Sequence, residues 1–499
     1  MKPKPKASKV SENIQSIDSG LVFGHFSTVH AGHIRHLKYA KELSNEVIVA
    51  LTGDSCTSRG MKYSQKERAE ALNYIDIIDQ IVLLEGDELA DAVRMVKPKI
   101  LLLGKEHECT DKNNLIKAIK EQRESGREVI FDAGETHYAT SRLLEQPYES
   151  LHDAKRKEYQ AVCARRNIVK SKLLESIEYW EAVKLLVIGD TIVDQYAACE
   201  ALGMSAEAPV IVVRELNKKN FIGGAAIVAS HISELGPKCH YISIVGDDIE
   251  GMLVRKALKE KGISFDLITD KTRPTTFKKR YLVESQKLFR VSRLDDKEIN
   301  QEIETLVMNK IENAIKKVDG IVISDFVYGV ITEKILQRTR ELAKEHNIKL
   351  FGDVQSSSQI GDVTRFVDFD LICPNEREAR IALQDKDSGI EALSQKILAT
   401  TKARSLVMKL GAEGFILYES TKNDVIKRIS FPTLTLNPLD VTGAGDAILS
   451  LMATGLSANQ DIITCAALSC CIASAAVETM GNTPIRKEKL MQKIEEVFI

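Results

Sequence analysis

Two stretches of this 499-residue chain set proton-carrying side chains among glycines, a combination suited to handling phosphate. In the first, Gly24-His25-Phe26-Ser27-Thr28-Val29-His30-Ala31-Gly32-His33 follows an apolar run, and His30 and His33 stand three residues apart. On a helix starting there, the two imidazoles share a face at the end where unpaired N–H groups and the macrodipole favour an anion. They can donate hydrogen bonds to a triphosphate. Gly24 permits a tight strand-to-helix turn that Phe26 then caps, and Gly32 permits close backbone approach. Taken alone, the pair also fits two surface histidines or an incomplete metal site, although zinc would want a third ligand. The second stretch is Asp440-Val441-Thr442-Gly443-Ala444-Gly445-Asp446, followed by the small-residue run Ala447 to Ala453. The backbone of Thr442, Gly443, Ala444 and Gly445 can wrap an anion at a helix N-terminus, and Asp446 can accept a proton from an attacking hydroxyl. Phosphoryl transfer calls for that pairing, because its catalysis is mostly positioning and charge stabilisation. A left-handed turn with a capping Asp is the plain alternative.

Further residues extend the second pattern. Gly223-Gly224-Ala225-Ala226 opens a helix and would let its backbone meet a polar ligand. Asn375 and Glu378 follow the strand Leu371-Ile372-Cys373 at helical spacing and can hold Mg²⁺ through water, as hard cations prefer oxygen. Lys409-Leu410-Gly411-Ala412-Glu413-Gly414 ends another strand in a turn able to pass close to a nucleotide. Lys278, Lys279, Arg280, Arg290 and Arg293 can meet a sugar phosphate, Arg forks matching phosphate oxygens, or else form a solvated strand edge.

Strands and helices must hold these groups. Apolar runs at Gly20 to Phe26, Glu46 to Leu51 and Lys99 to Leu103 alternate with helical patterns, as do Lys184 to Gly189, Gly320 to Ser324, Lys349 to Gly352 and Leu406 to Lys409. That alternation predicts parallel sheets covered by helices in two α/β domains. The charged segment 146–182 reads as a helical linker between a domain at 18–145 and one at 183–499, with 1–17 a disordered, lysine-bearing tail. A net charge of −2 removes the electrostatic case for a nucleic-acid partner. The longest apolar run, Cys465 to Val477, is too short for a membrane span and reads as a buried helix in which Cys470 and Cys471 are packing residues. Nine cysteines without a C-x-x-C pair, and no apolar leader, point to a cytoplasmic protein with reduced thiols.

The first motif resembles the cytidylyltransferase-like nucleotidyltransferases, whose signature is a strand, G-x-F-x-x-x-H-x-G-H and a helix. The resemblance implies a Rossmann-like domain over about 18–145, in which His30 and His33 hold nucleotide phosphates as pyrophosphate leaves. It further implies phosphate contacts from Thr140 and Ser141, and from Lys105 in an altered loop. Ser27 stands where that family usually has Asp. The region 184–499 resembles the ribokinase-like sugar kinases. That likeness makes Asp446 the catalytic base, Gly443 and Gly445 the anion hole, Asn375 and Glu378 the Mg²⁺-linked motif, and Gly411 and Gly414 a nucleotide-side turn. Asp190 and Asp194 then match the sugar-contacting strand end, with Gly223 and Gly224 beside them.

Segments such as Gly189 to Tyr196, Ser205 to Val210, Thr275 to Arg280, Arg293 to Asp295 and Ser324 to Gly329 narrow the resemblance to the bifunctional heptose kinase/adenylyltransferase family. Such enzymes use ATP and Mg²⁺ to phosphorylate heptose 7-phosphate and later form ADP-heptose for lipopolysaccharide. The resemblance implies small-molecule sugar phosphate and nucleotide substrates, no membrane partner and a homo-oligomer. Here the nucleotidyltransferase comes first, Ile227 replaces a sugar-binding Asn, and Asp353-Val354-Gln355-Ser356 replaces an Asp-Pro-Lys stretch. Two rivals are a kinase/cytidylyltransferase that acts on another sugar or polyol phosphate with CTP, and a nucleotide-binding regulator with one degenerate domain.

Overall fold

Runs such as Val47-Ile48-Val49-Ala50-Leu51 and Ile100-Leu101-Leu102-Leu103 are apolar on both faces, which suits strands covered by helices on each side. The computed structural model describes residues 6–9, 18–27, 29, 31–55, 63–104, 107, 110, 112–132, 148–284, 286–356, 359–420 and 426–498. It divides into two compact units, one of residues 1–146 with 385–396, the other of 147–384 with 397–499.

Among the described residues, the first unit holds strands β1 (Lys6–Lys9), β2 (Ser19–Gly24), β3 (Glu46–Leu51), β4 (Gln80–Leu83), β5 (Ile100–Gly104) and β6 (Glu128–Asp132). They form one sheet in the order β1-β4-β3-β2-β5-β6, and every pairing is parallel. Helices α1 (Ala31–Leu43), α2 (Gln65–Leu72), α3 (Leu89–Val96) and α4 (Asn113–Glu124) connect them. Buried clusters lie on both faces of the sheet, one around Leu21, Ile48 and Leu101, the other around Val22, Val49 and Leu102. The alternation of those neighbours is the period of two of a strand buried on both sides. Lys6–Lys9, expected within a solvated tail, instead forms an edge strand paired with Gln80–Leu83. Backbone pairing at a sheet edge needs no apolar side chains, so the sequence carried no sign of it.

The second unit begins with α5 (Tyr148–Arg165) and α6 (Lys170–Glu178), in the segment expected to be a linker. Tyr159, Cys163 and Trp180 are fully buried there; the Tyr159 hydroxyl donates to the Ala467 carbonyl at 3.0 Å and Trp180 Nε1 to Gln460 Oε1 at 3.0 Å. These helices therefore help build the unit's core. Next come β7 (Lys184–Gly189), β8 (Thr191–Met204), β9 (Ile211–Gly224), α7 (Ala225–Glu234), β10 (Lys238–Val245), α8 (Ile249–Glu260), β11 (Ser264–Thr269), β12 (Thr276–Val283) and β13 (Gln286–Arg293). They are followed by α9 (Gln301–Ile315), β14 (Gly320–Asp325), α10 (Glu333–His346), β15 (Lys349–Val354), β16 (Leu371–Ile372), α11 (Glu376–Leu383), α12 (Ile390–Thr401, assigned to the first unit up to Lys396), β17 (Ser405–Lys409), β18 (Phe415–Ser420) and β19 (Ile426–Phe431). Helices α13 (Ala444–Ser457), α14 (Ile462–Val477) and α15 (Lys487–Val497) close the chain.

The main sheet runs β11-β10-β7-β14-β15-β16-β17-β18-β19, parallel until β18 and β19 turn antiparallel. A smaller sheet, β13-β12-β8-β9, was not anticipated. A single residue, Asp190, separates β7 in the main sheet from β8 in the small one, so the chain changes sheets at the point where site residues were expected. Cys470 and Cys471 are buried in α14 as expected, and burial pushes the Cys471 thiol up to about 12. Among the described residues, no helix is long and apolar enough to cross a membrane.

Candidate functional site

In the first unit, β2 delivers Gly24 and then Phe26, whose φ of +47° turns the chain toward α1. A side chain at 24 would stand 2.8 Å from the Phe26 ring, so the glycine makes room for that ring. Phe26 is buried and packs on His33 with ring centroids 4.8 Å apart, which positions the second histidine of the motif at the first turn of α1. Gly32 is buried beside it. Arg68, on α2, is fully buried and donates to the carbonyls of His25 at 2.6 Å and Thr52 at 2.9 Å, and to Asp54 Oδ1 at 3.2 Å. His25 Nδ1 lies 2.7 Å from Thr52 Oγ1, and burial, helped by Lys112, Arg68 and His107, pulls its imidazole below the usual histidine range. A neutral imidazole and a buried guanidinium thus brace the loop from which the phosphate clamp would rise. His30, Lys105, Thr140 and Ser141 lie outside the described residues.

In the second unit, the site gathers around the first turn of α13. Gly443 caps that helix with φ +88°, and its carbonyl accepts from Ala447 N at 2.9 Å. The loop entering it is pinned by Asp440, which accepts from Thr442 N at 3.1 Å, Thr442 Oγ1 at 2.7 Å, Tyr196 OH at 2.8 Å, Lys287 Nζ at 2.9 Å and Gly481 N at 3.2 Å. Against the upward push of burial, Lys287 and Thr442 hold the Asp440 carboxyl down at about 2. Asp446 follows in the helix and is buried; burial pushes its carboxyl up to about 7, Asp194 and Glu378 add to the rise, and Lys409 and Lys278 oppose it. A carboxyl near 7 is suited to exchange a proton at neutral pH.

The two aspartates at the sheet change do different work. Asp194 is ion-paired with Arg280 and accepts from Asn482 Nδ2 at 3.0 Å, and any side chain at Gly223 would collide with its carboxylate. Asp190 instead holds the loop after β14, accepting from Phe326 N at 2.7 Å, Tyr328 N at 3.4 Å and Val330 N at 3.3 Å. Burial beside Asp325 pushes it up to about 7. Gly224, at φ +64°, lies against the Asp190 carbonyl.

Strand alternation splits the basic cluster on β12. Lys278 is buried with its ammonium 5.0 Å from the Tyr328 ring centroid, and Arg280 meets Asp194; Lys279 faces the other way, to Glu215 at 2.5 Å. Arg293, expected at the sugar phosphate, pairs with Glu250 at 2.6 Å and rests over Phe277.

Asn375 and Glu378 form a reciprocal cap on α11: Asn375 Oδ1 accepts from Glu378 N and Glu378 Oε2 from Asn375 N, both at 2.8 Å. Glu378 Oε1 also accepts from Ser356 N at 3.1 Å. Asp353 Oδ2 accepts from Lys409 Nζ at 2.7 Å and Gln355 Nε2 at 3.1 Å, while its buried Oδ1 has no partner among the described residues. Burial pushes Asp353 up to about 8, Lys409 opposing and Glu378 and Asp446 adding. Oxygen donors such as these are the kind a hydrated hard cation takes. Among the described residues no three acidic, His or Cys side chains are grouped to hold a metal ion. Gly411 at φ +59° faces open space, whereas any side chain at Gly414 would strike the Phe431 carbonyl. Ile227 is fully buried in α7. Sequence reasoning passed over Gln355, Asn482 and the anchoring role of Asp440; a polar G-N-T-P turn after an apolar helix was the available signal for Asn482.

Residues 182–488, more than half the chain, match the pfkB family carbohydrate kinases. This chain belongs to that family. Residues 21–146 match the cytidylyltransferase-like family, so the kinase is joined to a nucleotidyltransferase-type domain. The bifunctional protein HldE of Syntrophotalea carbinolica is 30% identical over 314 residues, covering 62% of this chain and 62% of that protein. The HldE of Helicobacter acinonychis is 30% identical over 311 residues, covering 62% and 65%. The chain thus spans less than two thirds of the length of these relatives. Among solved structures, Escherichia coli phosphofructokinase-2 with potassium aligns at TM-score 0.52 and 16% identity over 64% of this chain and 99% of that one. Arabidopsis thaliana ribokinase with ribose and ATP aligns at TM-score 0.50 and 18% identity over 63% and 99%. The kinase unit therefore has the ribokinase-like fold expected from the sequence, alongside a Rossmann-like nucleotidyltransferase unit.

Proposed function

We propose that the chain is a bifunctional enzyme: an ATP- and Mg²⁺-dependent kinase of a sugar phosphate, joined to a nucleotidyltransferase that makes a nucleotide-activated sugar of the ADP-heptose type. The observation that carries the kinase half is Asp446, a buried carboxyl near 7 at the N-terminus of α13, with Asp194, Arg280 and Asn482 grouped around Gly223 on one side and Lys409 on the other. In the reaction, the sugar hydroxyl oxygen bonds to the γ-phosphorus, its proton passes to Asp446, and the β–γ bridging P–O bond breaks to release ADP. The α13 amides would hold the transferred group, and Gly411 leaves room for the nucleotide. Asn375 and Glu378, fixed by their mutual cap, would orient water around Mg²⁺, which screens phosphate charge. In the first unit, His30 and His33 would hold the nucleotide triphosphate while pyrophosphate leaves. The likeness to bifunctional HldE proteins supports two activities on one chain, and the heptose assignment, with synthesis in the cytoplasm, follows from the sequence resemblance.

A second reading keeps both reactions but changes the sugar or polyol phosphate, with CTP in place of ATP in the first unit. Ile227 favours it, since a buried isoleucine offers no hydrogen bond where Asn would. A matrix assay separates the two, scoring ADP release over sugars and sugar phosphates, and pyrophosphate release over sugar 1-phosphates with ATP or CTP. Turnover of heptose 7-phosphate, and of heptose 1-phosphate with ATP, supports the first reading; another sugar with CTP preferred supports the second. Nucleotide binding without turnover would defeat both and favour a regulator.

A second copy of the chain would cover the small sheet, where Leu202, Met204, Ile211, Phe289 and Val291 are exposed. One solved relative of this fold, phosphofructokinase-2, is described as tetrameric.

A further inference from the structure

Lys409 ends β17 with its ammonium in an unusual place. A Cβ built on Gly445 would lie 3.1 Å from Lys409 Nζ, so the charge abuts the first turn of α13. The N-terminus of a helix carries partial positive charge, and a lysine there is unfavourable unless an anion lies between them. The surroundings keep this lysine charged: burial opposes ionisation, but Asp353, Glu378 and Cys373 outweigh it and raise the ammonium above its ordinary range. Its hydrogen-bond partner among the described residues is Asp353 Oδ2 at 2.7 Å, which leaves two N–H donors beside the Gly443–Gly445 turn. Gln355 completes the group, donating to Asp353 at 3.1 Å and Asp446 at 3.4 Å without bringing a charge. Its Nε2 would stand 3.8 Å from a Cβ on Gly445, so positions 355 and 409 reach the same spot from different strand ends.

We propose that Lys409 grips the transferred phosphoryl group, held in place by Asp353 and reaching the α13 anion hole from the end of β17. The inference rests on the kinase reading and adds to it the residue that supplies positive charge where β15 offers only Gln355. Lys409 contacts the equatorial phosphoryl oxygens as charge develops on them, while Asp446 takes the hydroxyl proton. Such a contact is tighter in the transition state than in the ground state, so its loss falls on kcat more than on the sugar KM.

The test uses the full-length chain. Lys409→Met should lower kcat for ADP release about 10²- to 10³-fold, the usual scale for one such donor, with the sugar KM changed less than about threefold. Calorimetric titration should show that the preference for ATP over ADP is lost. Gln355→Lys added to Lys409→Met should recover at least about tenfold of the lost kcat, because an ammonium returns to the same pocket. A Lys409→Met chain with kcat within about threefold of wild type, an unchanged preference for ATP, or a folded double variant no better than the single one each overturns the proposal. If Lys409→Met does not fold, Lys409→Arg decides: retained turnover and ATP preference support the grip, and a folded, inactive Arg variant sinks it. A wild-type chain that releases no ADP from any sugar defeats the kinase reading instead; the ATP-against-ADP titration still reports on Lys409.

Discussion

Burial sets the working range of Asp446, whose carboxyl is raised from 3.8 to about 7 despite Lys409 and Lys278 nearby. A general base must be ionised, so kcat/KM for ADP release should climb with pH, bend near 7 and level above it. Asp446→Asn should cut that activity about 10²- to 10⁴-fold and leave pyrophosphate release unchanged. The same shift has a stability consequence with a fixed sign. A carboxyl raised on folding favours the fold below its unfolded value and loses that contribution as pH rises to its folded value. Asp446→Asn should therefore melt at the wild-type temperature at low pH and progressively above it between about 4 and 7, with the gap constant at higher pH; calorimetry across pH 4 to 9 checks this. Asp446, the proposed base, and the glycines before it could be picked out together because they lie within one heptapeptide. Gln355 and Asn482 were harder to read, since their neighbours at the site come from strands and turns far away in the sequence.

Two elements owe their position to a single residue each. Gly224 turns β9 into α7 at φ +64° directly against the Asp190 carbonyl, so Gly224→Ala adds left-handed strain of about 1 to 3 kcal/mol and a steric clash. Its melting temperature should fall and the sugar KM should rise, because Gly223 and Asp194 move with that turn. Arg68 ties α2 to the loop after β2 and to Thr52. Arg68→Met would leave buried carbonyls unpaired at a cost of about 1 to 3 kcal/mol each, and should lower the melting temperature and pyrophosphate release together while ADP release persists. Strands of the two large sheets were readable as apolar runs because they are buried on both faces. The small sheet was not: Arg214-Glu215-Leu216-Asn217-Lys218-Lys219 in β9 is a largely polar run exposed to solvent, and nothing in it distinguishes a strand from a loop.

At the scale of the molecule, the proposed function assigns a separate reaction to each of the two matched domains. His30→Ala should abolish most pyrophosphate release and spare ADP release, the reverse of Asp446→Asn. Phe289 and Val291 lie on one face of β13, and both are exposed. Replacing both by Glu should convert an oligomer to monomers in sedimentation velocity, while intrinsic folding is kept. By itself the sequence determined the α/β class, the order of the two units and the glycine-rich turns with His33 and Asp446, because strand burial and phosphate turns are local properties of neighbouring residues. Tertiary structure alone decided that 148–182 belongs to the kinase core, that Asp194 faces Arg280 while Asp190 holds a loop, and that Lys409 stands against α13. Each of those outcomes depends on which distant segment fills the space beside a residue, and that is settled only when the sheets assemble and exclude water around the buried charges.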